Sequence, residues 1–340
     1  MASRLTIATA QVQLSPAAAL LLPAVSAQLQ MAELRIAQRL DTPSSPLARE
    51  AGCLLHGAGG KRVRPGVLLT AAALGDSGGG EPAIQAAAGV ELLHLASMYH
   101  DDVIDQADLR RGRASANARW GDRTATLAGT MAFAMALSEL GALDDTVNGW
   151  ASEAAGSLRA GQTLECERLY NIDVTVDEYF EAIAGKTAAL FALSARLGGY
   201  LSGLGPAQVQ TLHEYGRTLG LIFQIIDDIR DITDAAAETG KAPHADLAAG
   251  VYTLPTILCL EDGGRAGWGL RAVLGQGTLT SGEIEVAISQ IMASLAIPCC
   301  LQMLDDLVRQ ARAALGPLPG GAARDWLAQL PGAIMAEVRQ

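Results

Sequence analysis

Two apolar helical runs in this sequence end in the same acidic pattern, and that repetition restricts the folds open to the chain. Each run carries aspartates at positions i, i+1 and i+4: Asp101, Asp102 and Asp105 in the first, and Asp227, Asp228 and Asp231 in the second. Residues four apart share a helix face, where like charges repel and destabilise the helix. One such cluster is compatible with a solvated helix end. The repetition predicts that the two helices face each other across one cavity.

A cavity lined by carboxylates is suited to a hard cation. Mg²⁺ prefers oxygen ligands and typically takes one or two carboxylates per ion, with substrate phosphates in the remaining positions. We therefore expect Mg²⁺ at the two clusters, roughly three ions per active site with Mn²⁺ as a substitute, holding a diphosphate. The alternative is two unrelated acidic helix ends that are each exposed to water.

Helical periodicity runs through almost the whole chain. Hydrophobic residues make up 50% of the sequence and aromatic residues only 4%, and a composition dominated by Ala and Leu favours helices over sheets. We find no alternating strand, fixed-period repeat or Pro/Ser-rich linker in the sequence. It predicts one all-α domain over residues 17–340 after a flexible segment at 1–16, with helices that include 124–140, 186–204 and 281–297.

The charge and cysteine content argue against several kinds of partner. A formal net charge of −11 is unfavourable for nucleic-acid binding. The cysteines, 5 in all, lack the spacing of a zinc site, so we interpret them as reduced thiols of a cytoplasmic protein. No apolar run reaches the ~18–20 residues of a membrane span. The run 17–24 loosely resembles a secretory signal, but its apolar period continues to Leu40 and favours a structural helix.

Basic residues cluster beside the glycine-rich stretch 57–60. Lys61, Arg62 and Arg64 follow it and precede a predicted helix. Backbone N–H groups and the dipole at a helix N-terminus favour anions, and Lys and Arg side chains add charge-assisted hydrogen bonds. The stretch does not fit the phosphate loop G-x4-G-K-[ST], because position 62 is Arg. We expect a diphosphate here, and the alternative is a solvated basic patch.

Other polar residues near the aspartates have two interpretations each. Arg110 and Arg111 follow the first cluster and are suited either to phosphate or to neutralising the carboxylates. His94 precedes that cluster and is either a buried core histidine or part of the site. Gln224 lies three residues before Asp227 and shares its helix face, so it points either into the cavity or at the backbone.

Together these residues resemble the trans-isoprenyl diphosphate synthase (polyprenyl synthetase) family. The likeness lies in the two aspartate-rich motifs, the GKRVRP stretch at 60–65, RRG at 110–112, Lys186-Thr187, FQIIDD at 223–228, and Gly240-Lys241 followed by Asp246-Leu247, in family order over most of the chain. The resemblance implies an orthogonal all-α bundle around a central apolar cavity, usually a homodimer. It implies that the protein joins isopentenyl diphosphate to an allylic diphosphate and associates peripherally with membranes through its lipidic product.

The resemblance also assigns roles to individual residues. It implies that Asp101, Asp105 and Asp227 bind Mg²⁺ directly, with Asp102, Asp228 and Asp231 as ligands or supports. It places isopentenyl diphosphate at Lys61, Arg64, His94 and Arg111. It places the allylic diphosphate at Arg110, Lys186, Thr187, Gln224 and Lys241. The six aspartates and Lys186 are the predicted catalytic residues.

Two positions depart from the family pattern. The family often has a second lysine before the segment that contains Leu254 and Pro255, and residues 250–253 contain none. We treat this as a tolerated variant. The family also commonly has Gly-Asp where this chain has Gly129 and Thr130, and nothing in the sequence compensates for the missing carboxylate.

The residues beneath the first cluster should set the length of the product. One helical turn spans about 5.4 Å, close to one isoprene unit, so a bulky side chain four or five residues before Asp101 would block the cavity one turn down. Ser97 and Ala96 in those places are small, and Leu93 lies deeper. The sequence therefore predicts a product longer than roughly three or four isoprene units. The alternative is that Ala96 and Ser97 pack against another helix.

Two other functions share parts of this pattern. A class I terpene cyclase has the same fold and ionises an allylic diphosphate, but it needs no second diphosphate site such as Lys61, Arg64 and Arg111 would provide. A non-catalytic subunit of a heteromeric synthase usually lacks some of the aspartates, whereas both clusters are complete here.

Overall fold

The structure, a computed structural model, describes residues 22–41, 46–57, 59–110, 112–233, 244–275 and 277–338. It confirms the all-α prediction. In chain order the helices are α1 Pro23–Leu40, α2 Pro46–Gly57, α3 Val63–Ala72, α4 Gly80–Ile104, α5 Ala116–Trp120, α6 Asp122–Gly141, α7 Asp145–Glu167, α8 Val176–Ile183, α9 Ala189–Leu201, α10 Pro206–Thr233, α11 Ala245–Ala249, α12 Leu254–Glu261, α13 Arg265–Leu274, α14 Ser281–Ala293, α15 Ala296–Ala314 and α16 Ala322–Met335. The predicted flexible segment 1–16 lies outside the described residues.

The two acidic runs are the central helices of two hydrophobic core clusters. Side chains of α1, α2, α6 and α7 surround α4 in the first cluster, and side chains of α8, α15 and α16 surround α10 in the second. Helices α3 and α9 contribute to both clusters and so join them. A third, smaller cluster lies among α12, α13 and α14. Each fully buried leucine, such as Leu92 or Leu95, stabilises the fold by about 1.5–3 kcal/mol.

Small residues let α4 and α6 approach each other closely. The face of α6 that is buried carries alanines at positions 125, 128, 132 and 136. On α4, a Cβ added at Gly89 would lie 2.6 Å from the side chain of Leu140, which is closer than atoms pack. Because interiors are close-packed and adjust little, a larger side chain at Gly89 would push the helices apart.

Both acidic clusters lie at helix C-termini. Asp101 and Asp102 are in the last turn of α4, and Asp105 is its C-cap residue. The second cluster falls in the last two turns of α10, which ends at Thr233. Carbonyl groups and the helix dipole make a C-terminus favourable for cations and unfavourable for carboxylates. The fold therefore places the aspartates where positive charge is needed most.

The structure departs from the predicted elements in five places. The helix predicted over 186–204 begins with a π-helical turn, Ala184–Ala188, before α9. The helix predicted over 281–297 is broken at Ser294, whose hydroxyl donates to the Ile291 carbonyl at 2.7 Å and accepts from the Ala296 amide at 3.0 Å. The short helices α5 and α11 were not expected. A two-residue antiparallel pair, β1 Leu109–Arg110 and β2 Arg113–Ala114, corrects the expectation of no strand.

The described helices are shorter or less apolar than membrane-spanning helices. No single one of them is both long and apolar enough to cross a bilayer. The pair α14 and α15, bent by 60° at Ser294, reaches the required length and composition only when its two helices are joined.

Candidate active site

One cavity of about 350 Å³ opens where α4 and α10 end. Asp101 and Asp105 line it from α4, and Asp227 and Asp228 line it from α10. Carboxylates of the two clusters therefore share one cavity. Further predicted residues on its walls are Arg64, His94, Ser97, Arg110, Lys186, Thr187 and Gln224.

Cations balance the carboxylates of the first cluster. Asp102 is fully buried and accepts from Nε and Nη2 of Arg110 at 2.6 and 2.5 Å, both at its Oδ1 oxygen. Burial raises the pKa of Asp101 to about 6, although Lys186 lowers it, and the neighbouring Asp105 adds to the rise. The structure thus places Arg110 as a counter-ion to Asp102 and leaves Asp101 and Asp105 on the cavity wall.

Neutral groups donate to the buried aspartate of the second cluster. The buried Asp228 accepts from the Tyr179 hydroxyl at 2.5 Å and from Gln224 Nε2 at 2.8 Å. Thr187 Oγ1 in turn donates to Gln224 Oε1 at 2.6 Å, which fixes the orientation of the amide. Burial raises the pKa of Asp228 to about 7 against the effect of these hydrogen bonds, and Asp227 and Asp231 add to the rise.

Asp231 is not among the described residues on the cavity wall, and it anchors the chain that leads into α11. Its carboxylate accepts from the backbone amides of Ala245 at 3.2 Å and Asp246 at 3.4 Å. His244, in the left-handed conformation at φ 55°, lies with Nδ1 2.6 Å from the Asp231 carbonyl oxygen. Asp246 itself lines the cavity. The third aspartate of the second cluster therefore positions a carboxylate that was not predicted.

The donor set fits Mg²⁺ bound together with a substrate. Within the described ranges no group of three or more His, Cys, Asp or Glu side chains is arranged around a single metal position. Carboxylates instead line the cavity from several elements, and Mg²⁺ typically needs only one or two of them per ion when phosphate oxygens complete the shell. Burial is the main cause of the raised pKa values of Asp101 and Asp228. The helix C-termini add partial negative charge, so both features favour a cation at this site.

A close contact between α7 and the π-helical turn places Lys186 and Thr187. A Cβ added at Gly161 would lie 2.2 Å from the Lys186 amide nitrogen, so only glycine allows this approach. π-Helical turns widen a helix locally and occur often at functional sites. The Lys186 ammonium donates to Glu165 of α7. Burial alone would lower the pKa of Lys186, but Glu165 and Asp101 raise it above its ordinary value.

The predicted residues of the basic loop separate in the structure. Arg64 lines the cavity, with its guanidinium carbon 4.6 Å from the centre of the Phe191 ring and 5.9 Å from that of Phe223. Lys61 is exposed and is not among the described residues on the cavity wall. Arg111 and Lys241, assigned by resemblance to the two diphosphates, lie outside the described residues.

The predicted floor residues also separate. Ser97 lines the cavity. Leu93 and Ala96 are buried, 3% and 1% exposed, and neither is on the described wall. Ala96 shares a helix face with Gly89 and His100, both of which meet α6. Ala96 therefore lies on the face of α4 that packs against α6, as the alternative prediction stated, whereas Ser97 borders the open cavity as first predicted.

The sequence interpretation missed several residues on the cavity wall, and among the polar ones are Glu165, Arg168, Tyr179 and Asp246. Asp246 belongs to a motif that was recognised, so the signal was available. Glu165 and Tyr179 lie in amphipathic helices with no local pattern to distinguish them, because they act through Lys186 and Asp228, which are distant in sequence.

The two departures from the family pattern have different locations. Thr130 is exposed on α6, and its hydroxyl donates to the Thr126 carbonyl at 2.9 Å. Val251 lines the cavity, as does Arg168, which donates to the Glu178 carbonyl and to Glu181, each at 2.7 Å. The change at Thr130 thus lies off the described cavity wall. Val251 instead places an apolar side chain on that wall, and Arg168 is a cationic residue on the same cavity.

Comparison with known proteins agrees with this geometry. A sequence profile of the polyprenyl synthetase family matches residues 46–291. A nonaprenyl diphosphate synthase of Mycobacterium tuberculosis is 35% identical over 306 residues, 89% of this chain and 88% of the relative. An octaprenyl diphosphate synthase of Escherichia coli is 37% identical over 222 residues, 64% of this chain and 67% of the relative. The solved structure of a decaprenyl diphosphate synthase from Rhodobacter capsulatus superposes with a TM-score of 0.86 at 31% identity, covering 93% of this chain and 98% of that chain. The chain therefore belongs to the polyprenyl synthetase family and is a prenyltransferase enzyme.

Proposed function

We propose that this protein condenses isopentenyl diphosphate with an allylic diphosphate, in a Mg²⁺-dependent reaction, to make a trans-polyprenyl diphosphate longer than about four isoprene units. The observation that carries the proposal is the meeting of two acidic helix ends with Lys186 and Arg64 on one cavity. Relatives named for nonaprenyl and octaprenyl products support the longer chain length.

The allylic diphosphate would lie between the π-helical turn and α10. Lys186 supplies a cation there, and Thr187 and Gln224 supply polar groups whose mutual hydrogen bond of 2.6 Å preorients them. Arg110 lines the same cavity and is paired with Asp102. A diphosphate bound there would meet charge-assisted donors from Lys186 and Arg110. Lys241 would join this set by resemblance.

Isopentenyl diphosphate would lie on the α3 side of the cavity. Arg64 and His94 face this part of the wall, and Lys61 is next to it in sequence with its side chain in solvent. Two separate cationic groups, Lys186 and Arg64, distinguish a synthase with two diphosphates from a cyclase with one. Arg111 would join the second subsite by resemblance.

Asp101, Asp105, Asp227 and Asp228 are the residues that would hold magnesium, roughly three ions with a bound diphosphate. Mg²⁺ held by these residues would supply positive charge to the diphosphate that leaves the allylic carbon. Lys186 adds a fixed positive charge to the same leaving group. Met98, Ile183 and Phe223 on the cavity wall would keep water from the allylic cation while the isopentenyl double bond attacks it. The tertiary cation formed by this attack then loses a proton to the released diphosphate, which gives the new double bond.

A homodimer in the cytoplasm is the assembly that we propose. The outer face of α6 carries Leu127 and Phe133, 65% and 36% exposed, next to the small residues Thr130 and Ala134. Such a face is suited to a second copy of the chain, because contiguous exposed apolar residues mark interaction surfaces. Light scattering of the purified protein checks this, and a monomer at micromolar concentration contradicts it.

Substrate dependence tests the reaction. The purified single chain is incubated with Mg²⁺ and labelled isopentenyl diphosphate, with and without geranyl or farnesyl diphosphate. Incorporation of label only when both substrates are present supports the synthase. A cyclised hydrocarbon from the allylic substrate alone would identify a terpene cyclase instead. Activity that requires a second protein would identify a subunit of a heteromeric synthase.

A further inference from the structure

Arg62 lies between two basic residues that we place at isopentenyl diphosphate, yet its environment differs from theirs. Lys61 is exposed and Arg64 lies on the cavity wall. Arg62 is only 5% exposed and is not among the described residues that line the cavity. Its charge is therefore directed into the protein interior.

Three helices and the glycine-rich loop meet at this guanidinium. Nε and Nη2 donate to the two carboxylate oxygens of Glu33 in α1, at 2.6 and 3.1 Å, which is a bidentate geometry. Nη1 donates to Glu91 of α4 at 2.9 Å. The carbonyls of His56 in α2 and Gly59 in the loop each accept at 3.3 Å. Arg62 thus balances two carboxylates whose burial would otherwise destabilise the fold.

The backbone of Arg62 is as constrained as its side chain. Its φ of 49° and ψ of 34° are in the left-handed region, which residues other than glycine adopt at a cost. Its carbonyl accepts from the Gly66 amide at 3.0 Å, so this residue is the N-cap of α3. The turn made here joins the glycine-rich loop to α3 and directs Arg64 to the cavity while Arg62 points away from it.

We infer that Arg62 is a positioning residue: Glu33 and Glu91 hold its guanidinium in the interior, and this holds Lys61 and Arg64 in place for isopentenyl diphosphate. This role depends on the proposed function, because it describes how the second diphosphate subsite is built. In the competing interpretation the guanidinium turns into the cavity and is itself a diphosphate ligand. The two interpretations differ in what removal of a carboxylate partner would do.

The variant Glu91→Gln distinguishes them. If Arg62 positions the loop, loss of the Glu91 charge loosens it, and KM for isopentenyl diphosphate rises about tenfold, since a misplaced binding group weakens productive contact. KM for farnesyl diphosphate and kcat stay near the wild-type values, because Lys186 and the aspartates are untouched. If Arg62 is a ligand, freeing its guanidinium leaves KM for isopentenyl diphosphate unchanged or lower, and the inference is wrong.

Glu139→Gln is the matched control. Glu139 of α6 is also a fully buried glutamate, and it accepts from Arg35 and Arg39 of α1, so both variants neutralise a buried carboxylate that pairs with arginine. Both should lower the melting temperature, and only Glu91→Gln should raise KM for isopentenyl diphosphate. An equal rise of KM in both variants would mean general destabilisation and would overturn the positioning role.

The variant Arg62→Lys and a direct binding measurement test the role of Arg62 without relying on enzyme turnover. Arg62→Lys keeps the charge and loses the bidentate fork, so calorimetric titration with isopentenyl diphosphate should show a weakening similar to that of Glu91→Gln. Unchanged binding in Arg62→Lys contradicts the inference. Absence of turnover in the wild type refutes the proposed function instead, whereas an active wild type with unchanged KM in Glu91→Gln refutes only the role of Arg62.

Discussion

The two acidic clusters share one sequence pattern, but the buried middle aspartate of each has different partners. At the end of α4, Asp102 pairs with the cation Arg110, and Lys186 is near Asp101. At the end of α10, Asp228 accepts from the neutral donors Tyr179 and Gln224. The spacing of a motif thus predicts where charge lies but not what balances it.

The largest effect should come from removing one carboxylate from either cluster. Asp101→Ala and Asp227→Ala should each lower kcat by about 10³-fold, because charge on the leaving diphosphate is no longer neutralised. Steady-state assays at saturating substrate measure this, with circular dichroism to confirm folding. Full turnover in one folded variant would mean that only one cluster takes part in the reaction.

Loss of the central cation should have the next largest effect. Lys186→Met should lower kcat by about 10²-fold and destabilise the protein, since Glu165 and Asp101 lose the charge that faces them. Arg309→Met on the surface of α15, whose guanidinium pairs with the exposed Asp306, is the matched control and should behave like the wild type. Equal kcat values in both variants would contradict a role for Lys186.

The positions one turn before each cluster should affect product length differently. Ser97 precedes Asp101 by four residues, and Phe223 precedes Asp227 by four, and both line the cavity. A small residue therefore stands one turn before the first cluster, where a larger one can be introduced, and an aromatic ring already stands before the second. Ser97→Phe should shorten the product because the ring would fill the open side of the cavity. Ala96→Phe should shorten it only if the cavity extends between α4 and α6, where Ala96 packs. Mass spectrometry of the products measures both lengths, and an unchanged length in both variants would refute this floor.

A smaller effect is expected from Tyr179→Phe. The variant removes one hydrogen bond to buried Asp228 and should destabilise the metal-free protein by about 1–3 kcal/mol. It should also raise the Mg²⁺ concentration needed for half-maximal activity by about tenfold, because loss of a hydrogen bond that supports a metal ligand weakens metal binding. An unchanged Mg²⁺ dependence would show that Tyr179 only packs. Tyr215→Phe, which loses a buried hydroxyl bonded to the Leu327 carbonyl, is the control.

The smallest effect should be on the pH dependence of stability in EDTA. Asp101 and Asp228 have raised pKa values, about 6 and about 7, chiefly through burial. At pH values between the ordinary pKa of an aspartate and these raised values, the folded state keeps protons that the unfolded state has lost. The free energy of unfolding therefore falls as the pH rises through this range. The melting temperature should fall by about 2 °C or more. Asp228→Asn should reduce the fall more than Asp101→Asn does.

Much of the fold could be predicted because its helices follow simple periodicity. Helix α4 carries apolar residues on nearly every side, whereas α10 exposes polar residues such as Gln210 and Glu214 at helical spacing. Both helices end in charged residues, so their extent is plain in the sequence. The break at Ser294 and the π-helical turn were not predictable, since hydroxyl capping and the contact of Gly161 with Lys186 depend on neighbours distant in sequence.

The candidate site divides in the same way. Residues inside a motif were easier to predict: spacing placed Asp227 on the cavity, and resemblance to the family singled out Arg64 within its basic cluster. Glu165 and Tyr179 were missed because their partners, Lys186 and Asp228, lie in other elements of the fold and are distant in sequence. Arg62 shows the converse, since it belongs to a basic motif but its side chain is directed into the interior by Glu33 and Glu91.

Magnesium-dependent binding of inorganic pyrophosphate is the most direct test that the two clusters act as one site. Calorimetric titration should show binding by the wild type with Mg²⁺ and none in EDTA. Asp101→Asn and Asp227→Asn should each abolish it, although the two residues belong to different helices. Tight binding that persists in EDTA, or that survives either substitution in a folded variant, would contradict a shared site.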